Sequence, residues 1–109
     1  MNNLIITGNV SKVNENVVND SKVLNFSVAV NSFYKNKSGE KVEKTTWFDC
    51  SLWNRESIYK FIKKGTHVTV SGSVEAKAWL DKDGNAQAVN VVLVDEVEFF
   101  NRDKSEEKE

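Results

Sequence analysis

Three tryptophans stand on the polar side of strand-like alternation. Trp47 and Trp53 occupy odd positions among polar residues in the segment 44–53, whose even positions are largely apolar. Trp79 occupies an odd position in the segment 66–80, where an apolar series also runs through the even positions. Because successive strand residues point to opposite faces, we expect all three indole rings on solvent-facing surfaces. A ring exposed on a sheet can stack on an unpaired nucleic-acid base, a contact worth about 1–3 kcal/mol per base.

The spacing of Trp47 and Trp53 favours an extended ligand. Six residues of strand separate the two rings by roughly 20 Å, at about 3.3 Å per residue. A run of unpaired nucleotides spans that distance, whereas one small molecule does not. For a single tryptophan, a place at the end of a barrel or in a subunit interface is an open alternative. Three of three on polar faces favour the stacking surface.

Basic residues supply the second half of such a site. The chain of 109 residues has a formal net charge of -1, but residues 35–64 hold eight bases against four acids, and residues 81–109 hold four against nine. Cations beside exposed aromatics neutralise phosphates, and the combination is typical of single-stranded nucleic-acid binding. Reading a duplex takes a helix or ribbon aimed into a groove. The predicted phosphate-contacting residues are Lys35, Lys37, Lys41, Lys44, Arg55, Lys63, Lys64 and Lys77.

A period of two runs through most of the chain and predicts the strands that position these side chains. Gly8 indicates a bulge or a close backbone approach in the first strand. Asp83-Gly84 favours a tight turn. The predicted elements are strands at 3–13, 24–31, 44–53, 66–80 (with an apolar face from Val68 to Leu80) and 86–100, a polar loop at 35–41 and a hairpin turn at 81–85.

One segment has helical spacing. Asn54 is a suitable N-cap, and Gly65 follows at the expected stop. Between them, Ile58, Phe61 and Ile62 stand at i, i+3 and i+4 and predict the buried side of the helix. The helix lies between the third and fourth strands. This order predicts an all-β fold, a five-stranded Greek-key barrel of the OB type with one short helix.

Length and composition set the remaining limits. We expect one OB-fold domain over residues 1–100 and a short, charged, disordered tail over 101–109. Cys50 has the parity of a core residue, and as the single cysteine it allows neither a disulfide nor a cysteine-cluster zinc site. His67 is the only histidine, so we expect no metal, no cofactor and no enzymatic activity. No apolar run approaches about 18 residues and no charged-then-apolar leader opens the chain, so we expect no membrane association.

The segment 91–94 is apolar at every position and therefore on both faces of the last strand. Two interpretations are open. The strand is either buried on both sides, or its outer face forms a subunit interface. We favour the interface, because a barrel strand normally has one solvated side.

Several motifs follow one another along residues 2–100. The apolar strand at 3–10 ends in Gly-Asn, and 46–53 combines Thr-Trp-Phe with Cys-Ser-Leu-Trp. Residues 63–72 pair a basic end with Gly-x-x-Val-x-Val-x-Gly, and Trp79 stands just ahead of the Asp-x-x-Gly turn. Each motif alone is weak, but their order and spacing together are specific. In these motifs the chain resembles the bacterial single-stranded DNA-binding protein family.

The resemblance implies an OB fold, a homotetramer assembled through sheet edges and faces, and sequence-independent binding of single-stranded DNA in replication, recombination and repair. It implies stacking roles for Trp47, Trp53 and Trp79, and for Tyr34 at the end of the second strand. By parity, Tyr34 shares the buried side of that strand, so its role needs a bulge or a strand that emerges into the loop. Phe33 competes for the same role.

The chain also departs from the family pattern. Asn3 and Glu75 stand where the family often has bases, which leaves Lys77 and predicts weaker or more salt-sensitive binding. The chain ends at Lys108-Glu109 without the acidic tip and terminal phenylalanine through which many members recruit repair and replication proteins. We therefore expect no recruitment through such a tip. We expect a cytoplasmic protein, associated with a bacterial nucleoid or encoded by a phage or plasmid.

Two other functions are compatible with the same residues. One is an OB-fold primosome or protein-interaction module with secondary nucleic-acid binding, which Glu75 and the missing tip favour. The other is an RNA-binding OB domain. Competition between matched DNA and RNA oligomers distinguishes an RNA-binding domain from a DNA-binding protein.

Overall fold

The structure is a computed structural model, and it describes residues 1–100 of the chain. Its elements are β1 (Leu4–Val18), β2 (Ser21–Lys35), β3 (Lys41–Trp53), α1 (Glu56–Tyr59), β4 (His67–Leu80) and β5 (Ala86–Phe100). The strands form a barrel in the order β1-β2-β3-β5-β4, and the pairing of β4 with β1 closes it. β3 and β5 run parallel, and the other pairs are antiparallel. The predicted five-stranded all-β barrel with one short helix is confirmed.

The apolar side of each strand fills the barrel. Even positions of β2 and β4 point inward, as the alternation predicts, because one face of each strand packs on the core and the other faces solvent. Complete burial of a Val, Leu or Ile side chain stabilises the fold by about 1.5–3 kcal/mol. The most completely buried side chains are Leu24, Leu52, Ile62, Val28, Val68, Val70, Val92 and Cys50.

A β-bulge in β1 changes which face its residues occupy. Val10 pairs with Val28, but Lys12 pairs with Ser27, so Ser11 is an extra residue between them. The bulge turns Lys12 outward. The irregularity predicted at Gly8 is a close approach instead, because a Cβ at Gly8 would overlap the backbone carbonyl of β2 at Ala29.

Two hairpins extend beyond the covered core. The β2–β3 hairpin is longer than predicted, since β2 continues to Lys35 and β3 begins at Lys41. The loop is therefore 36–40, shorter than the predicted 35–41. In that loop the Asn36 side-chain oxygen accepts two backbone N–H groups. The even positions of β4 share one face as far as Leu80, as predicted, but at this far end the face is not covered, and Leu80 is 71% exposed. Every residue from Glu75 to Leu80 is exposed, so alternation there does not produce burial.

The predicted helix is wrong in its extent. α1 has four residues and Arg55 at its N-cap, whereas Asn54 has a φ of 58° and donates its N–H to the backbone of β2. Phe61 and Ile62 follow in turns after the helix, and only Ile62 is buried. Consecutive turns bring every third or fourth residue to the same side, as a helix does. The apolar spacing therefore did not distinguish a longer helix from a short helix followed by turns.

Tyr59 anchors this segment and is absent from the predicted core. Its side chain is buried, and its hydroxyl lies 2.7 Å from the Leu52 carbonyl and 3.0 Å from the Lys22 carbonyl. A buried hydroxyl needs such partners, because an unpaired one costs about 1–3 kcal/mol. The tyrosine thus ties α1 to the ends of β2 and β3.

Cys50 lies in the core as predicted, with 1% of its surface exposed. Burial, and then the charge of neighbouring Asp49, raises the pKa of its thiol from 9.0 to about 12. The thiol of the unfolded chain loses its proton near pH 9.0, and the thiol of the folded chain near 12. The protonated thiol therefore contributes fully to the stability of the folded state below pH 9.0, and this contribution is lost between pH 9.0 and about 12.

We therefore expect the free energy of unfolding to fall by about 1.4 kcal/mol per pH unit through this window. Urea unfolding at several pH values measures the slope. Cys50→Ala is the control that separates the thiol from lysine and tyrosine titration. Equal slopes for the two proteins would contradict the expectation.

Residues 1–100 contain neither a candidate membrane-spanning helix nor a candidate metal site. No helix in this range is long and apolar enough to cross a membrane. Nor does this range group three or more His, Cys, Asp or Glu side chains in a way that could hold a metal ion. The disorder predicted for 101–109 lies outside the described residues.

Candidate nucleic-acid interface

Trp47, Trp53 and Phe33 lie on the outer surface of the β2–β3 ladder. The ladder runs through thirteen residue pairs without a register shift, so the alternation of faces is kept along its whole length. The three rings are exposed, Trp47 at 51%, Trp53 at 38% and Phe33 at 57%. The prediction that both tryptophans of β3 face solvent is therefore confirmed.

Trp79 shares this outer surface through β5. It pairs with Gln87, and the same parity continues along β5 to Leu93, which lies beside Ser51 of β3. The register shift of the β4–β5 ladder lies at Ser71/Gly72, outside this stretch. Trp79 is 50% exposed. The aromatic face is the outer surface of β2, β3, β5 and β4 that carries Phe33, Trp47, Trp53 and Trp79.

Tyr34 lies on the opposite side of the β2–β3 hairpin. It pairs with Val42 at the parity of the core residues, as the sequence predicts, yet it is 54% exposed. No bulge is needed for this exposure, because the hairpin projects past the end of the barrel. Of the two candidates in β2, Phe33 is the one on the aromatic face, and Tyr34 is not.

Three of the predicted lysines lie on the aromatic face. Lys35 and Lys41 pair with each other at the tip of the β2–β3 hairpin. The Lys41 Nζ lies 4.4 Å from the centroid of the Phe33 ring, within the range of a cation–π contact. Lys77 lies two residues before Trp79 on the same side of β4. A phosphate therefore has a cation near each end of the aromatic face.

The other predicted cations lie elsewhere. Lys37 is exposed in the loop at 36–40, near the hairpin tip, and Lys44 is on the side of the hairpin that carries Tyr34. The Arg55 guanidinium donates to the Asp95 carbonyl at 2.9 Å and lies 3.9 Å from Glu96.

Lys63 and Lys64 are exposed in the turns after α1. Backbone hydrogen bonds between Val10 and residues 65–66 hold these turns against β1. No strand pairing connects the two lysines to the aromatic face within residues 1–100.

A polar groove of about 320 Å³ separates Trp47 from Trp53. The Ser51 hydroxyl donates to the Asn25 side-chain oxygen at 2.9 Å, and the Ser27 hydroxyl donates to Asp49 at 3.3 Å. Lys12 lines the groove from β1, where the bulge has turned it outward. Lys12 was not predicted, although the three-residue step from Val10 to Val13 is the break in period that indicates a bulge.

The aromatic face and its groove carry almost no net charge. Four lysines (Lys12, Lys35, Lys41 and Lys77) are offset by Glu43, Asp49 and Glu75, and Glu96 and Glu98 continue the outward row of β5. Electrostatic attraction to a polyanion is therefore small on this surface. Stacking on the aromatic rings must supply most of the affinity for an unpaired strand.

Curated relatives with similar sequences come from several bacteria. A single-stranded DNA-binding protein of Deinococcus radiodurans is 32% identical over 106 residues, covering 94% of this chain and 35% of that protein. One from Borreliella burgdorferi is 31% identical over 105 residues, covering 92% of this chain and 70% of that protein. Single-stranded DNA-binding protein 1 of Clostridium acetobutylicum is 28% identical and is covered to 97%. This chain thus spans from about a third to nearly all of these relatives.

Solved structures share the fold. A Plasmodium falciparum SSB in complex with ssDNA superposes with a TM-score of 0.77 at 24% identity, covering 93% of this chain and 96% of that one. A deletion mutant of the Thermus aquaticus single-stranded DNA binding protein superposes with a TM-score of 0.74 at 19% identity, covering 94% of this chain and 51% of that one. At these identities the likeness concerns the barrel alone, and it confirms the OB architecture.

The family model described as "Single-strand binding protein family" matches residues 1–100, the whole described barrel. Proteins of this family bind DNA without catalysing a reaction, in agreement with the prediction that the chain is not an enzyme. By this match, and by its identity of about 30% to curated members, the chain belongs to the single-strand binding protein family.

Proposed function

We propose that this chain binds single-stranded DNA along the aromatic face and protects it during replication, recombination and repair. The observation that carries the proposal is the register of four strands, which brings three tryptophans and Phe33 to one exposed surface. Large exposed aromatics on a sheet are exceptional in a soluble domain unless they bind something. Stacking on them does not depend on base identity, which suits a protein that coats any sequence.

Phosphate contacts are assigned by position. Lys35, Lys41 and Lys77 border the aromatic face, and Lys12 adds a fourth cation from β1. Lys37 is near enough to the hairpin tip to join them. Arg55 is engaged with β5, so a direct phosphate contact from it has the weakest support. Roles for Tyr34, Lys44, Lys63 and Lys64 require DNA that passes beyond the aromatic face.

An oligomer, with a homotetramer as the expected form, is part of the proposal. Leu93 on β5 and Ile5 on β1 are 52% and 65% exposed on the outer surface of the barrel. Each of the two interpretations of 91–94 applies to one face of the strand. Val92 and Val94 are buried in the core, whereas Leu93 faces outward. This arrangement supports an outer subunit contact. A cytoplasmic location is the expectation that follows from DNA as the partner.

A fluorescence titration tests the proposal. Because bases quench the fluorescence of the indole rings on which they stack, oligo-dT should lower the tryptophan emission. The same titration with an RNA oligomer tests the preference for DNA. Four lysines, or five with Lys37, predict a slope of log K against log salt of about -3 to -3.5 per protomer, at about -0.7 per phosphate in single strands. No quenching at low salt would contradict the proposal. Mass measurement with and without oligo-dT reports the oligomer and the stoichiometry.

A further inference from the structure

The groove between Trp47 and Trp53 contains hydrogen-bonding groups that stacking does not explain. Two cross-strand pairs, Ser27 with Asp49 and Asn25 with Ser51, lie between the two tryptophans. They form two adjacent polar rows, in the path that a strand joining the two rings would take.

Asp49 has unused acceptor capacity in this groove. A carboxylate offers about four lone-pair sites, and the Ser27 hydroxyl uses one of them at 3.3 Å. Within residues 1–100, no lysine or arginine nitrogen forms an ion pair with it. The side chain is exposed. An ionised carboxylate accepts hydrogen bonds only, so it repels phosphate oxygens and needs an N–H or O–H donor from any ligand above it.

The position of Asp49 matches the edge of a stacked base. Asp49 is two residues from Trp47 on the same side of β3, a distance of about 7 Å along the strand. On the other side, Ser27 pairs with both Asp49 and Lys12, so the backbones of Lys12 and Asp49 are two strands, about 10 Å, apart. A nucleotide lying across this row can put its phosphate toward Lys12 and the edge of its base toward Asp49.

We propose that Asp49 is a specificity-determining residue, which accepts a hydrogen bond from the exocyclic amino group of a base that lies beside Trp47. The inference rests on the proposed binding of single-stranded DNA. Cytosine presents an N4 amino donor where thymine and uracil present an O4 acceptor. In a single strand this edge is free of a pairing partner. The chain therefore favours bases with an exocyclic amino group over thymine or uracil at this one position of an otherwise sequence-tolerant track.

Oligo-dC and oligo-dU of equal length test the inference, since their rings differ at the group that meets the carboxylate. Affinities are measured by anisotropy of labelled oligomers at one salt concentration and slightly alkaline pH, where cytosine is neutral. Because self-stacking of the free oligomers affects the absolute values, the readout is the ratio of the two dissociation constants in each protein. In Asp49→Asn and Asp49→Ala this ratio should shift toward oligo-dU by about threefold to tenfold, the net effect of one hydrogen bond on a solvent-exposed surface.

Glu98→Gln is the matched control, because it removes the same charge from the outer surface of β5 seven residues away from Val91, the partner of Asp49. It should leave the ratio unchanged. If Asp49→Asn tightens both oligomers by the same factor, Asp49 acts only by repelling phosphate and the inference is wrong. An unchanged ratio also overturns it. Failure of the unsubstituted protein to bind either oligomer would instead contradict the proposed function itself.

Discussion

Replacing Trp47 and Trp53 together by alanine should lower the affinity for oligo-dT by about 30-fold or more. Each stacked base contributes about 1–3 kcal/mol, and about 1.4 kcal/mol corresponds to a tenfold change in affinity. The loss should be nearly the same for DNA of any sequence, because the rings contact the faces of bases. Since carboxylates offset the lysines of the aromatic face and its groove, charge cannot compensate for the missing rings.

Anisotropy of a labelled oligomer measures this change without relying on the two removed fluorophores. Leu80→Ala is the control, since it removes an exposed apolar side chain from the other side of the β4–β5 hairpin. Both rings are exposed, so the double variant should unfold within a few degrees of the unsubstituted protein. An affinity loss below about threefold, with the fold intact, would exclude stacking as the main source of binding and support the protein-interaction function.

Gly72→Ala should have a large effect on stability. Gly72 is buried, and a Cβ there would overlap the Leu93 carbonyl of the neighbouring strand. The obstacle is backbone, which cannot move without breaking hydrogen bonds of the β4–β5 ladder. Overpacking and lost ladder bonds together should cost about 3 kcal/mol or more. That is a large part of the roughly 5–15 kcal/mol that stabilises a domain.

Urea or thermal unfolding measures the cost, with Gly39→Ala as the matched control. Gly39 has a φ of 83° but no atom within 4 Å of an added Cβ, so this substitution carries the left-handed backbone penalty alone. That penalty is about 1–2 kcal/mol. A Gly72→Ala protein that is no less stable than Gly39→Ala would show that the two strands separate easily at this point.

Local alternation was enough to predict most of the barrel. A side chain's face depends only on its position along its own strand, so the inward direction of Val28, Cys50 and Val68 and the outward direction of Trp47 and Trp53 follow from a period of two. It failed where a single residue broke the period. The bulge at Ser11 moved Lys12 outward, and no count along the strand places it beside Asp49.

Alternation also does not report where the barrel stops. Tyr34 and Leu80 both have core parity, and both are exposed because their hairpins continue past the packed interior. The extent of α1 was wrong for a related reason, since helix and successive turns share nearly the same apolar spacing. Burial depends on what lies opposite a side chain, and that is a property of the whole fold.

The sequence by itself determined the all-β barrel, the solvent-facing tryptophans and the apolar core, because strand faces are set by neighbours one and two residues away. Only the tertiary structure decided that Trp79, Trp47 and Phe33 share one surface, that Lys12 faces Asp49 across β2, and that Tyr34 does not join them. These relations depend on the register between strands far apart in the chain. Register is fixed when the closed barrel packs its core, since a slip of one residue would turn every apolar side chain outward.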